Sequence, residues 1–150
     1  MIFEKTTSRK QFGEDVEGPF LLEKECLTLL NKNFKCICSK PRIHFPKIIE
    51  YNEEEFKFTL THCGTDLGYF LRRKSLSRGA SKQVKCIIYN LKINKIIHRD
   101  IAFRNLCINK NGDLSLIDFD VASIGECWEY EEFEKIMVGE LEALGRELAK

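Results

Sequence analysis

Hydrophobic positions along this chain follow two different periods, and the switches between them predict its elements. Residues 1–7 (MIFEKTT) read as a short strand, and residues 8–18 as a polar loop with Gly13 and Gly18. Pro19 then suits the first turn of a helix, where a missing N–H costs no intrahelical bond. Leu22, Cys26, Leu29 and Leu30 recur at helical spacing through PFLLEKECLTLLNKN. Residues 31–46 read as irregular, with Pro41 and Pro46 as breakers. KIIEY and EFKFTLT predict two strands joined by the acidic turn Asn52-Glu53-Glu54, and Phe56, Phe58 and Leu60 alternate as on a half-buried strand.

Farther along, His62-Cys63-Gly64-Thr65 breaks the strand, and Asp66 opens a short helix, DLGYFLRRK. After a loop over Ser77–Ala80, Val84, Ile87, Ile88 and Leu91 mark one face of a longer helix. CINKNGDLSLI predicts a hairpin turning on Asn111-Gly112, a pair suited to positive φ at both central positions. Tyr130–Ala149 reads as a final helix, with Phe133, Ile136, Met137, Leu141, Leu144 and Leu148 as its apolar stripe. Strands first and helices later predict an α+β fold.

Composition narrows the function classes. The chain has 150 residues, 43% of them hydrophobic and 31% charged, which suits one soluble globular domain with a real core. A net charge of +1 exerts no strong pull on nucleic acid or membrane, and neither is expected as a partner. There is no apolar stretch of signal-peptide or membrane-span length. Seven cysteines, an odd number, without a secretory signal predict reduced thiols in a cytoplasmic or nuclear compartment rather than a disulfide framework. Cys36-Ile37-Cys38 with His44 nearby raises metal ligation. Zinc sites usually carry paired C-x2-4-C spacing, so core or surface thiols are the preferred reading.

The densest chemistry lies in IHRDIAFRNLCINKNGDLSLIDFD. Asp100 is a carboxylate able to orient a hydroxyl and take its proton. Asn105, five residues on, and Asp118, thirteen further, offer an amide oxygen and a carboxylate to a hard cation. The hairpin between them folds Asp118 back toward Asp100. Phosphoryl transfer needs little beyond such positioning and charge neutralisation. His98-Arg99-Asp100-Ile-x3-Asn105, a strand, Asn-Gly, a strand and Ile-Asp-Phe resemble the catalytic and metal-binding loops of eukaryotic-type protein kinases.

That resemblance implies one protein-kinase-like domain over residues 1–150, with 1–61 N-lobe-like and 62–150 C-lobe-like. Its expected form is a reduced N-lobe sheet plus a truncated, mainly helical C-lobe. ATP and Mg2+ are the implied cofactors, with Asp100 as base and Asn105 and Asp118 on the metal. His98 is implied to pack behind the metal loop, and Arg99 to brace the catalytic and activation loops. Ile2-Phe3-Glu4-Lys5 resembles the kinase strand Val-Ala-Ile-Lys, whose lysine holds the phosphates. Glu23, with Leu27 and Leu30 following at +4 and +7, resembles its helix partner better than Glu25 does. A solvated surface lysine is the other reading of Lys5. EFKFTLTHCGTDL resembles the last N-lobe strand and hinge, so the backbone of Thr61 to Cys63 is implied to meet adenine, with Asp66 near the ribose. A helix N-cap is the other reading of Asp66.

Departures from the family temper the activity. Asp120 stands where the family carries the glycine of Asp-Phe-Gly, restricting the backbone. No Gly-x-Gly-x-x-Gly loop and no Ala-Pro-Glu occur, and the later C-lobe helices are missing. Glu140-Leu141-Glu142-Ala143-Leu144-Gly145-x2-Leu148 resembles the helix that supports the catalytic loop, with Glu140 in place of Asp; an amphipathic surface helix is its plain reading. Ala102 and Arg104 resemble the Ala-x-Arg-Asn of tyrosine kinases, but without a peptide-docking platform they do not define the acceptor. The expectation is an ATP-dependent phosphotransferase acting on a hydroxyl, with a protein substrate or regulatory protein as the expected partner. Its rivals are an inactive pseudokinase or interaction module, and a small-molecule kinase, a class that also carries Asp-Phe-Asp-like runs.

Overall fold

A computed structural model describes residues 2–7, 13–38, 43–74 and 79–124, together with 135, 136, 139, 142, 143 and 146. Among these residues the chain is a mixed assembly of helices and small antiparallel sheets. Strand β1 (Ile2–Thr6) lies beside β3 (Lys57–Thr61), which in turn pairs with β2 (Ile48–Asn52), giving the sheet order β1-β3-β2. Helix α1 (Glu17–Lys32) packs under this sheet. It starts two residues before Pro19, because the buried Val16 offers its carbonyl to the Phe20 N–H at 3.1 Å. Its buried stripe is Phe20, Glu23, Cys26, Leu27 and Leu30; Leu22 and Leu29 lie at the margin. The Phe20 ring stacks on Phe58 at 4.5 Å between centroids.

Strand β3 begins at Lys57, not at Glu55. Asn52 Oδ1 accepts the N–H groups of Glu54 and Glu55, and Phe56 takes a φ of 54°, so the turn runs through Phe56. Phe56 still packs on the core, but from the turn rather than the strand.

Beyond β3 come β4 (Thr65–Asp66), the short helix α2 (Leu67–Leu71), helix α3 (Ala80–Ile93) and β5 (Ile96–Ile97). A 3-10 turn (Phe103–Asn105) leads into the hairpin β6 (Leu106–Ile108) and β7 (Leu114–Leu116), and β8 (Ser123–Ile124) follows. β4 adds to the hairpin in the order β4-β6-β7, while β8 pairs with β5. The hairpin register is Leu106 to Leu116 and Ile108 to Leu114. Its turn is longer than two residues. Gly112 alone in it has positive φ (81°), and Asn109 Oδ1 accepts the N–H groups of Asn111 and Asp113. The Asn109 side chain thus closes a wider loop with a single left-handed glycine.

The core joins Leu27 and Leu30 of α1, Val84, Ile87 and Leu91 of α3, and Leu106, Leu114 and Leu116 of the hairpin. Most of the expected last helix lies outside the described residues, including Glu140 and the stripe positions Phe133, Met137, Leu141, Leu144 and Leu148. Ile136 of that stripe is 53% exposed. Among the described residues no helix is long and apolar enough to cross a membrane.

Candidate functional site

Alternation along β1 turns Phe3 and Lys5 toward one side of the sheet, opposite Leu60 and Phe58 of β3. Below them lies a cavity of ≈ 380 Å³, which Lys5, Glu23, Thr61, Cys63, Asn105 and Asp118 all line. Apolar walls come from Phe3, Leu27, Leu60 and Ile117.

Lys5 forms the centre of a charged cluster. Its Nζ lies 2.7 Å from Glu23 Oε1, 2.8 Å from Asp118 Oδ1 and 3.8 Å from Asp120 Oδ2. Glu23 is only 1% exposed, on the otherwise apolar stripe of α1. A buried carboxylate needs full compensation. Oε2 accepts the Phe119 N–H at 2.6 Å and the Lys5 ammonium at 2.9 Å, while Oε1 has the Lys5 ion pair without a hydrogen bond of its own. The ion pair therefore links β1 and α1 to the chain beyond β7. Burial works against the Lys5 charge, but the attraction of Glu23 and then Asp118 outweighs it and raises the ammonium pKa. Burial likewise opposes the Asp118 charge; Lys5 reverses the balance and holds its carboxyl below the usual range. Asp120 goes the other way. Burial, then a hydrogen bond to Asp118, pushes it up to about 7. Near neutrality its carboxyl is therefore divided between its two forms, and the protonated one donates to Asp118.

The second half of the site is built on β5 and the hairpin. β5 and β8 pair Ile96 with Ile124 and Ile97 with Ser123, drawing residues 98–100 alongside 117–120. His98 is fully buried, its ring edge-on to Phe119 at 4.8 Å. Its Nε2–H donates to the Ile117 carbonyl at 2.8 Å, while Nδ1 accepts the Asp100 N–H at 3.1 Å. Burial lowers its pKa, so the ring is neutral and acts as a spacer between the two loops. Arg99 and Asp118 adopt φ values of 74° and 66°, left-handed conformations that cost a non-glycine residue energy and that surrounding contacts must hold.

Asp100 does not line the cavity but reaches it through Asn105. Asn105 Nδ2 donates to the Asp100 carbonyl at 2.7 Å and to its Oδ2 at 3.0 Å, and Arg104 pairs with Oδ1. With its nitrogen committed, Asn105 has its amide oxygen left for a cation. Asp118 lines the same cavity, next in the chain to Ile117, whose N–H donates to the Asn105 carbonyl at 2.9 Å.

The remaining sequence-predicted residues are placed as follows. Thr61 and Cys63 line the cavity at the end of β3. Thr61 is tied to Lys47 through its N–H, at 3.0 Å, and its Oγ1, at 2.9 Å. Asp66 caps α2, accepting the Tyr69 N–H at 2.8 Å, and is not among the cavity-lining residues. Arg99 is exposed. Sequence reasoning passed over Gly64, whose φ of 105° and closeness to β6 leave no room for a side chain: a Cβ there would lie 2.1 Å from the Ile108 carbonyl oxygen. A glycine between two short strands was the available signal. Cys107 also lines the wall, and burial pushes its thiol up to about 12, so it is no nucleophile.

Neither a family model nor a curated protein matches the sequence. Among solved structures, a chain of the crystal structure of the yeast RNA Pol II CTD kinase CTDK-1 complex is similar to this one, with a TM-score of 0.56 and 20% identity. The chain shares a fold with a member of a kinase complex. The match covers 83% of this chain and 39% of that one, so this chain spans well under half the length of its structural neighbour. Fold is what such a likeness carries; chemistry must rest on the residues of the site.

Proposed function

We propose that this chain binds ATP with Mg2+ in the cavity under β1 and transfers the γ-phosphoryl group to a hydroxyl acceptor. The observation that carries this reading is convergence: Lys5, Glu23, Asn105 and Asp118, from four separate segments, line one cavity, with Asp100 bonded to Asn105. The donor set fits the metal. The Asn105 amide oxygen and the Asp118 carboxylate are the hard oxygen ligands that Mg2+ takes. Bound there, Mg2+ would neutralise phosphate charge.

The chain's own groups account for the rest. Lys5, steered by Glu23, offers its ammonium to the phosphates. Asp100 orients the acceptor hydroxyl and takes its proton as the oxygen bonds to the γ-phosphorus and ADP leaves. The apolar wall of Phe3, Leu27 and Leu60 suits a flat base, and the backbone at Thr61 to Cys63 offers it polar groups. A protein hydroxyl is the proposed acceptor.

A second reading, a nucleotide-binding module without turnover, is favoured by one arrangement: both Asp100 oxygens are engaged, by Arg104 and Asn105. Purified full-length chain, incubated with ATP, Mg2+ and protein or small-molecule acceptors, decides between them. Transfer that collapses in Asp100→Asn supports the phosphotransferase. Mg-ATP binding without transfer supports the module, and phosphorylation of metabolites alone would assign a small-molecule kinase, consistent with Asp120.

A further inference from the structure

Behind α1, away from the cavity, three thiols from distant parts of the chain come together. Cys36 and Cys38 lie in the segment leaving α1, and Cys86 projects from the middle of α3. Their Sγ atoms all lie within 4.8 Å of one another. Beside them is His44, 1% exposed, with Nε2 3.2 Å from Cys38 Sγ and Nδ1 2.6 Å from the Leu114 carbonyl oxygen. A carbonyl only accepts, so Nδ1 carries the ring proton and Nε2 turns its lone pair to the thiol cluster. A metal-bound imidazole is oriented in this way, its other N–H given to a backbone carbonyl.

The third sulfur is prepared as well. Cys86 Sγ accepts the Ile37 N–H at 3.4 Å and an Asn90 Nδ2–H at 3.7 Å, contacts that hold the sulfur in place. Asn90 also accepts the Lys35 N–H at 2.7 Å and donates to the Lys35 carbonyl at 3.0 Å, pinning the cysteine segment to α3.

We propose that Cys36, Cys38, Cys86 and His44 form a tetrahedral zinc site that fastens the α1–β2 connection to α3. Three cysteines and one histidine are a closed structural zinc set. Zn–S bonds of about 2.3 Å place sulfurs roughly 3.8 Å apart, so the thiols need close by no more than about 1 Å. Nε2 must swing from its contact with Cys38 toward the other two sulfurs. Binding releases three thiol protons to solvent, while neutral His44 gives up none. Soft thiolates also separate this site from the oxygen donors of Asn105 and Asp118, so zinc here and Mg2+ there do not compete. A disulfide would leave one thiol over and would not account for the imidazole's orientation.

The test is the metal content of the full chain, purified with reductant and without chelator, followed by Co2+ substitution. About one zinc per chain is expected, with Co2+ giving sulfur-to-cobalt charge transfer and the intense d–d bands of a tetrahedral site. Cys36→Ser and Cys38→Ser change half-buried positions that the fold tolerates, and each should weaken binding at least about 10-fold. His44→Gln, if folded by circular dichroism, should keep the charge-transfer band and alter the d–d bands. Absence of bound zinc and cobalt in the folded, reduced chain overturns the proposal. So does a metal content that Cys36→Ser and Cys38→Ser leave undiminished.

Discussion

Two side-chain clusters flank α1, one ionic and one of sulfur and imidazole, and they are assembled by different means. At the cavity, Lys5 is the shared cation of Glu23, Asp118 and Asp120, which come from α1 and the segment after β7. Behind the helix, Cys36, Cys38, Cys86 and His44 meet across a loop, α3 and the start of β7. β7 and its continuation anchor both. The Leu116 N–H donates to the His44 carbonyl at 2.8 Å, and the Phe119 N–H to Glu23 at 2.6 Å. The first cluster is held by ion pairs to one shared cation, whereas the second brings three sulfurs together with an imidazole nitrogen against one of them. The contrast separates a site that binds by exchanging its internal partners from one that gathers donors around a common point.

The largest expected effects come from removing the proposed base and the one cation of the ionic cluster. Asp100→Asn should lower phosphoryl transfer by about 10²- to 10⁴-fold while leaving Mg-ATP affinity nearly unchanged. Equal rates in both proteins would take Asp100 out of the mechanism. Lys5→Met strands a carboxylate that is 1% exposed and should cost about 3–5 kcal/mol in urea unfolding. Adding Glu23→Gln to it should recover part of that loss, since Gln can still accept the Phe119 N–H; no recovery would mean the pair is not a coupled unit. Zinc content should be unaltered in either variant if the two clusters are independent.

Smaller effects sharpen the picture at its edges. Gly64→Ala should cost about 2–3 kcal/mol, because the new methyl meets the Ile108 carbonyl and φ must stay positive. A melting temperature equal to wild type would show that β4 is free to move off β6. Smallest is the pH effect of His98. Burial lowers its folded-state pKa below the ordinary 6.5, so the unfolded chain takes up the proton first. Its contribution to stability is intact above pH 6.5 and declines as pH falls from there through the folded-state value. A His98→Gln variant should be less stable at neutral pH and show a shallower acid slope, measured by denaturant midpoints between pH 7 and pH 5.

How much of this was legible beforehand depended on distance along the chain. Asp100, Asn105 and Asp118 could be read together because a 3-10 turn and a hairpin of short, β-branched or leucine-rich strands fix their relation within a few residues. The hairpin's turn was misjudged, since the choice between a tight turn and a wider loop hung on Asn109, whose side chain bonds its own backbone. The start of β3 was misjudged for the same reason, with Asn52 capturing the N–H groups that a strand would have used. The stripe of α1 was read a little rotated, because the pattern rule discounted Glu23, a charge that belongs on the buried face only when Lys5 and the Phe119 N–H are there to meet it.

From residue order alone came a mixed α and β chain, the longer strands and helices before residue 117 to within a few residues, and the grouping of Asp100, Asn105 and Asp118. These follow from local periodicity and turn chemistry, which act over one or two turns of chain. Tertiary structure alone decided that Lys5 would reach across to Asp118, that burial would raise the Asp120 carboxyl, and that Cys86 would join Cys36 and Cys38 beside His44. Those outcomes depend on burial and on partners tens of residues away, and no spacing rule contains either.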